Sequence, residues 1–130
     1  MLILTIRTDK PEAEIGLFSG QEQLAYETWY AHRELSVTLH QKILSLLEAQ
    51  DKTLQDIGGI VGFAGPGSFT GLRIGLTVAN TLAYAFGRPI VAAKGEDWAA
   101  AGITRLQAGE QDTAAMPEYG APVHITVQKK

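Results

Sequence analysis

Gly65-Pro66-Gly67-Ser68-Phe69-Thr70-Gly71 is the stretch of this chain whose residue types come closest to a binding loop. It follows an apolar run and opens a segment of helical spacing, so free backbone N–H groups gather at a positive helix end, where anions are attracted. One reading is therefore a phosphate cradle. The lysine of a Walker loop is missing, however, and the glycines follow GxGxxxG, not the dinucleotide spacing GxGxxG. The other reading is structural: Gly65 and Gly67 make a tight turn, and Ser68 or Thr70 caps the helix. The residue chemistry favours the turn. Ser68 and Thr70 also carry hydroxyls, but no histidine lies near them in sequence to act as base, and there is no GxSxG elbow.

Other reactive groups are sparse. His32, His40 and His124 do not stand at metal-ligand spacing and there is no cysteine, so they read as solvated or capping residues, with no metal site expected. Asp9, Glu12 and Glu14 cluster near the first strand, where an acidic residue at a strand end could hold magnesium in a sugar-kinase-like nucleotide site. Arg7 is the charge nearest that strand end and would repel a metal, so a charged turn is expected. Arg73, one turn into the helix, could steady a loop carbonyl or reach across an interface; the second is preferred.

The helix after the loop is more telling than the loop. Gly71, Gly75, Ala79 and Ala83 recur every four residues and form a stripe of small side chains. Glycine costs a helix about 1 kcal/mol relative to alanine, so two near its start need a reason. Such a stripe admits another helix at close range, either residues 35–50 of this chain or a helix of a partner. The opposite side, with Leu72, Ile74, Leu76, Val78, Leu82 and Phe86, is apolar enough to face a sheet. A helix apolar nearly all round is covered on more than one side.

The elements that must position these residues follow from periodicity. Leu2 to Ile6 is a β-branched run suited to a buried strand. Ala13 to Phe18 and Gln23 to Tyr30 continue as strands through short turns, the last with Leu24, Tyr26, Thr28 and Tyr30 on one face. From Leu35 the period changes: Leu35, Leu39, Ile43, Leu46 and Leu47 fall at helical spacing over residues 35–50. Thr53 can cap a single turn, with Asp56 at the capping-box position. Ile57 to Phe63 reads as a strand buried on both faces, and the long helix after the loop ends at Gly87. Pro89 to Ala93 is a further short strand, and Gly95 to Leu106 a third helix anchored by Trp98. The order βββαβαβα is that of a ribonuclease-H-like α/β layer over residues 1–107. Residues 108–130, small and polar and closing on ITVQKK, read as linker and tail.

Composition sets the outer bounds. The 130 residues suffice for one domain with a core, and 45% hydrophobic with 19% charged is ordinary for a soluble globular chain. A formal charge of -3 argues against an electrostatic grip on nucleic acid, so any service to RNA goes through a partner. The opening apolar run is too short for a signal peptide, no run approaches a membrane span, and the lack of cysteine fits a cytoplasmic protein.

With these residues in view, GPGSFTGLRIGL and the small-residue helix after it resemble the signature of the TsaB (YeaZ) family. LILTIRT is similar to that family's opening strand, TLQDIGGIVGFAGPGSF to its approach to the loop, and MPEYGAPVHITVQKK to its terminal segment. The resemblance implies a ribonuclease-H-like half of the actin and sugar-kinase superfamily, in a shortened form lacking most of the family's second α/β half. It also implies a non-catalytic dimerisation subunit without a cofactor, in bacterial tRNA threonylcarbamoyladenosine synthesis. The expected partner is a TsaD-type transferase, with a TsaE-type ATPase joining the pair, tRNA met only indirectly, and a homodimer formed in isolation. The implied contact surface is Leu35, Leu39, Ile43 and Leu46 on one helix with Gly71, Arg73, Gly75, Ala79 and Ala83 on the other. The alternatives are a self-associating module, or a small ATP-binding or glycoprotease-like enzyme using the Gly65–Gly71 loop.

Overall fold

A computed structural model describes residues 1–31, 34–67, 69–112 and 114–116, with the backbone alone at Phe69. Three strands come first: β1 (Leu2–Arg7), β2 (Glu12–Ser19) and β3 (Glu22–Tyr30). Then α1 (Leu35–Ala49), β4 (Ile57–Phe63), α2 (Phe69–Phe86), β5 (Ile90–Ala93) and α3 (Trp98–Gln107) follow. The strands form one sheet in the order β3-β2-β1-β4-β5. β1, β4 and β5 run parallel, while β2 is antiparallel to both its neighbours. This is the mixed ribonuclease-H-like α/β sheet that the sequence pattern predicts.

Alternation in the strands sends side chains to two cores. Leu4, Ile6, Ile15, Leu17 and Ile60 meet Leu39, Ile43 and Leu47 of α1 and Leu76, Ala79 and Leu82 of α2 on one face. On the other, Ile3, Val61, Phe63 and Val91 meet Trp98, Ile103 and Leu106 of α3, with the Trp98 ring edge-on to Phe63 at 5.5 Å. α1 has no side-chain N-cap and no acidic residue in its first turn, so its apolar face holds it. Each fully buried leucine or isoleucine contributes about 1.5–3 kcal/mol. A lateral tie is made by the Trp29 indole, which donates to Thr38 Oγ1 at 3.1 Å. The short turn at Leu54–Asp56 carries the expected capping box, the Thr53 N–H donating to Asp56 Oδ2 at 2.8 Å.

Two local expectations are corrected, and the segment after α3 is described only in part. The register shifts between Leu17 and Phe18, which face Ala25 and Gln23 and leave Leu24 in a bulge. Leu24 thereby joins Ala25 and Trp29 against the core, while Tyr26, Thr28 and Tyr30 stay exposed. Strict period-2 reading cannot anticipate an inserted residue. α3 begins at Trp98, not Gly95, because Gly95 sits at φ +83 in the preceding turn. Beyond α3, the described residues of the segment read as linker and tail are docked. Asp112 bonds to β5, and the Ala115 main chain bonds both ways with the Asn80 side chain, at 2.8 and 3.0 Å. His32, Ser68, His124 and the MPEYGAPVHITVQKK segment past Met116 lie outside the described residues.

Candidate functional site

The glycine stripe meets the end of β1. Thr8, directly after that strand, is buried, and its hydroxyl donates to the Gly71 carbonyl at 2.6 Å. A Cβ added at Gly71 would collide with the Thr8 carbonyl oxygen, and one at Gly75 with the Thr8 hydroxyl. Ala79 continues the stripe over Gly62 of β4, and Ala83 is buried in the same core. The stripe therefore receives a strand end of the same chain, not a second helix. Leu35, Leu39, Ile43 and Leu46 are likewise buried in the chain's own core. Of the residues expected to meet a partner, Arg73 is exposed and Gly71 partly so. Periodicity shows that a face is small or apolar; it does not show what fills it.

The charges beside the loop are paired. Arg7 donates from Nε to Asp9 Oδ1 at 2.7 Å and from Nη2 to Asp9 Oδ2 at 3.3 Å, and its guanidinium lies 3.9 Å from the Phe63 ring centroid. The bond to Asp9 holds the Arg7 pKa above its ordinary value. Gly67 closes over Asp9, where an added Cβ would stand 2.6 Å from the Asp9 Cβ. Glu14 is held by Lys10 at 3.2 Å and accepts from the Tyr26 hydroxyl; burial and that bond push the Tyr26 hydroxyl above its usual range. Of the charged turn expected of Asp9, Glu12 and Glu14, Asp9 pairs with Arg7 and Glu14 with Lys10. His40 is exposed on α1, and among the described residues no three histidine or carboxylate groups converge on a metal position.

The described part of the loop, up to Gly67, is bent. Gly65 adopts φ +114, the Gly65–Pro66 peptide is cis, and the Gly65 carbonyl accepts from the Gly95 N–H at 3.4 Å. Thr70 lies inside the first turn of α2 and so is not its cap.

What remains open is the outer side of α1 and α2. A groove of about 310 Å³ runs between them, lined by Ser36, Thr70, Arg73, Ile74, Thr77 and Val78. A second hollow of about 270 Å³ adjoins it through Thr70 and Ile74 and reaches Thr8, Asp9 and Lys10. The same two helices carry exposed apolar side chains, Val37 at 56% and Leu44 at 53% exposure on α1 and Tyr84 at 91% on α2, the last lining a separate hollow with Asn80, Ala83 and Arg88. Sequence reading passed over all three because it followed the buried sides of the same helices. Val37 and Leu44, seven apart on α1, were the available signal.

With fold and site described, comparison assigns the class. The chain matches the family model of TsaD, tRNA N6-adenosine threonylcarbamoyltransferase, over residues 29–112, and belongs to that family. Within it, the chain is TsaB-like. It is 39% identical over 92 residues to the tRNA threonylcarbamoyladenosine biosynthesis protein TsaB of Bacillus subtilis (strain 168), covering 71% of this chain and 40% of that protein. A tRNA N6-adenosine threonylcarbamoyltransferase of Tropheryma whipplei (strain Twist) is 34% identical over 104 residues, covering 68% of this chain and 26% of the relative. YeaZ from Pseudomonas aeruginosa superposes with a TM-score of 0.66 at 27% identity, over 72% of this chain and 43% of that one. The Thermus thermophilus RuvC structure, at 14% identity and a TM-score of 0.52, covers 95% of this chain and 86% of its own, and shares the fold. The chain spans about 40% of the length of the TsaB relative it matches.

Proposed function

We propose that this chain is a non-catalytic partner subunit in tRNA threonylcarbamoyladenosine synthesis, binding a TsaD-type transferase through the outer side of α1 and α2. The observation that carries the reading is the groove between those helices, on two helices that also expose Val37, Leu44 and Tyr84. The similarity to a biosynthesis protein named for this modification supports the pathway. The pairing of Arg7 with Asp9 supports a non-catalytic role, because it commits the carboxylate nearest the glycine loop to an internal cation. A TsaE-type ATPase would join this pair, and tRNA would be reached through the transferase. The net charge of -3 agrees with indirect contact. Such work belongs in the cytoplasm, and among the described residues no helix is long and apolar enough to cross a membrane.

The contact surface differs from the buried one expected from sequence. It consists of Val37, Leu44, Arg73, Thr77 and Tyr84, which are exposed, while Leu39, Ile43, Gly75 and Ala79 support it from beneath. Co-expression with the TsaD-type protein of the same organism, followed by size-exclusion chromatography, tests the reading. A co-eluting complex is expected, and separate elution at micromolar concentration would overturn it. The same face could pair with its own copy, since a two-fold interface needs only one self-complementary patch; light scattering on the isolated chain measures that.

A further inference from the structure

The two edges of the sheet meet one hazard in different ways. An open edge strand offers unpaired N–H and C=O groups to any other strand, and charges, bulges or covering groups normally blunt it. β3, at one edge, carries Glu22 and Glu27 and the Leu24 bulge. β5, at the other, is Ile-Val-Ala-Ala, without a charge of its own.

Two residues from elsewhere cover β5. Val91 and Ala93 turn toward β4, and the Ala93 carbonyl accepts from the Ala64 N–H at 2.8 Å. Ile90 and Ala92 turn outward. The Asp112 N–H donates to the Ile90 carbonyl at 2.8 Å, and the Ala92 N–H donates to Asp112 Oδ2 at 2.7 Å. Arg105, on the last turn of α3, donates from Nη1 to the Ala92 carbonyl at 3.1 Å and from Nη2 to Asp112 Oδ1 at 2.7 Å. Glu110 steadies the same guanidinium through Nε at 2.9 Å. These contacts to Ile90 and Ala92 stand where a sixth strand would bond.

We propose that the Arg105–Asp112 pair is an edge guard, and that without it β5 pairs with β5 of a second copy. The second copy is the fitting occupant because a short apolar strand is its own complement about a two-fold axis, and because the guard places charges where that strand would lie. This inference is independent of the helix surface proposed above.

The test follows the Ala92 amide by hydrogen exchange, together with mass by light scattering, in Asp112→Ala. At low concentration that amide should exchange at least about tenfold faster than in the unsubstituted protein, as expected when a local closing bond is lost. The inward-facing amides of Val91 and Ala93 should hold their rates. Raising the concentration should restore Ala92 protection while the mass doubles. A dimer formed through α1 and α2 would not restore it, so the two proposals fail separately. Unchanged Ala92 exchange at low concentration would overturn the guard. Ala92 exchange that stays fast at every concentration would overturn the pairing. If near-ultraviolet dichroism shows that Asp112→Ala does not fold, Asp112→Ser, which also removes the carboxylate that accepts from the Ala92 N–H, takes the same test. A folded Asp112→Ser that stays monomeric, with fast Ala92 exchange at every concentration, would overturn the pairing in the same way.

Discussion

Thr8 and Gly71, sixty-three residues apart, share a 2.6 Å hydrogen bond from the threonine hydroxyl to the glycine carbonyl. It fastens the start of α2 to the end of β1, and the absent side chains of Gly71 and Gly75 make the approach possible. The glycines that looked like docking residues thus fix the angle at which α2 leaves the sheet, and with it the groove shared with α1.

Gly71→Ala and Gly75→Ala should both destabilise the fold, but only one should be rescued. Overpacking of a close contact costs about 1–3 kcal/mol, more than the roughly 1 kcal/mol a helix gains from alanine. At Gly71 the obstacle is a main-chain carbonyl, so adding Thr8→Ala should not help. At Gly75 it is the Thr8 side chain, and Thr8→Ala/Gly75→Ala should recover most of the loss. Urea unfolding of the four variants decides, and equal rescue at both sites would refute the assignment. A bulky residue at Gly75 would likewise act on folding first, so it is a poor probe of partner binding.

Arg7→Ala should cost about 2 kcal/mol, since it removes a two-pronged ion pair and strands a mostly covered carboxylate. Arg7→Lys should recover less than half, because lysine has neither the fork nor the flat face over Phe63. A coupling energy near zero between Arg7 and Asp9 in a double-mutant cycle would count against the pair.

Stability should fall in acid through two carboxylates, Asp112 and Asp56. Arg105, then the Ala92 N–H, hold the Asp112 carboxyl below its ordinary 3.8, and the Thr53 main chain does the same for Asp56. A carboxyl with a lowered folded pKa stabilises fully above its unfolded value and loses that contribution as the pH drops through the folded one. The loss should therefore lie below about pH 4. Denaturation midpoints of Asp56→Asn/Asp112→Asn should vary less across that window than those of the unsubstituted protein; parallel curves would rule the linkage out.

Val37→Asp/Leu44→Asp and Tyr84→Glu should abolish the complex with a TsaD-type protein while leaving stability within about 0.5 kcal/mol, as exposed substitutions usually do. Retained co-elution in both variants would move the contact elsewhere on the molecule.

Element order was legible because the periods are clean: five apolar anchors from Leu35 to Leu47 make α1 plain, and IGGIVGF, short and wholly apolar, is typical of a strand covered on both faces. The capping box at Thr53 and the stop at Gly87 are local signals and were read directly. The Leu24 bulge was not, since an inserted residue leaves composition unchanged and appears only in the pairing with β2. The site was harder still. Whether Gly75 faces Thr8 or a neighbour depends on chain direction after the loop, and the bonds of Asp112 and Ala115 join residues twenty and thirty-five positions apart.

The Asn80 amide offers the Ala115 main chain one donor and one acceptor, as a neighbouring peptide unit would. Asp112 is seated on the margin of the sheet, and Ala115 beyond it in the core shared with α1 and α2. The polypeptide thus changes sides after α3, passing around β5 like a cord around a plank. Met116, exposed and next to Ala115, lies on the side that carries Tyr84, so a fluorophore attached at that residue would sense a visitor to the helices before one to α3.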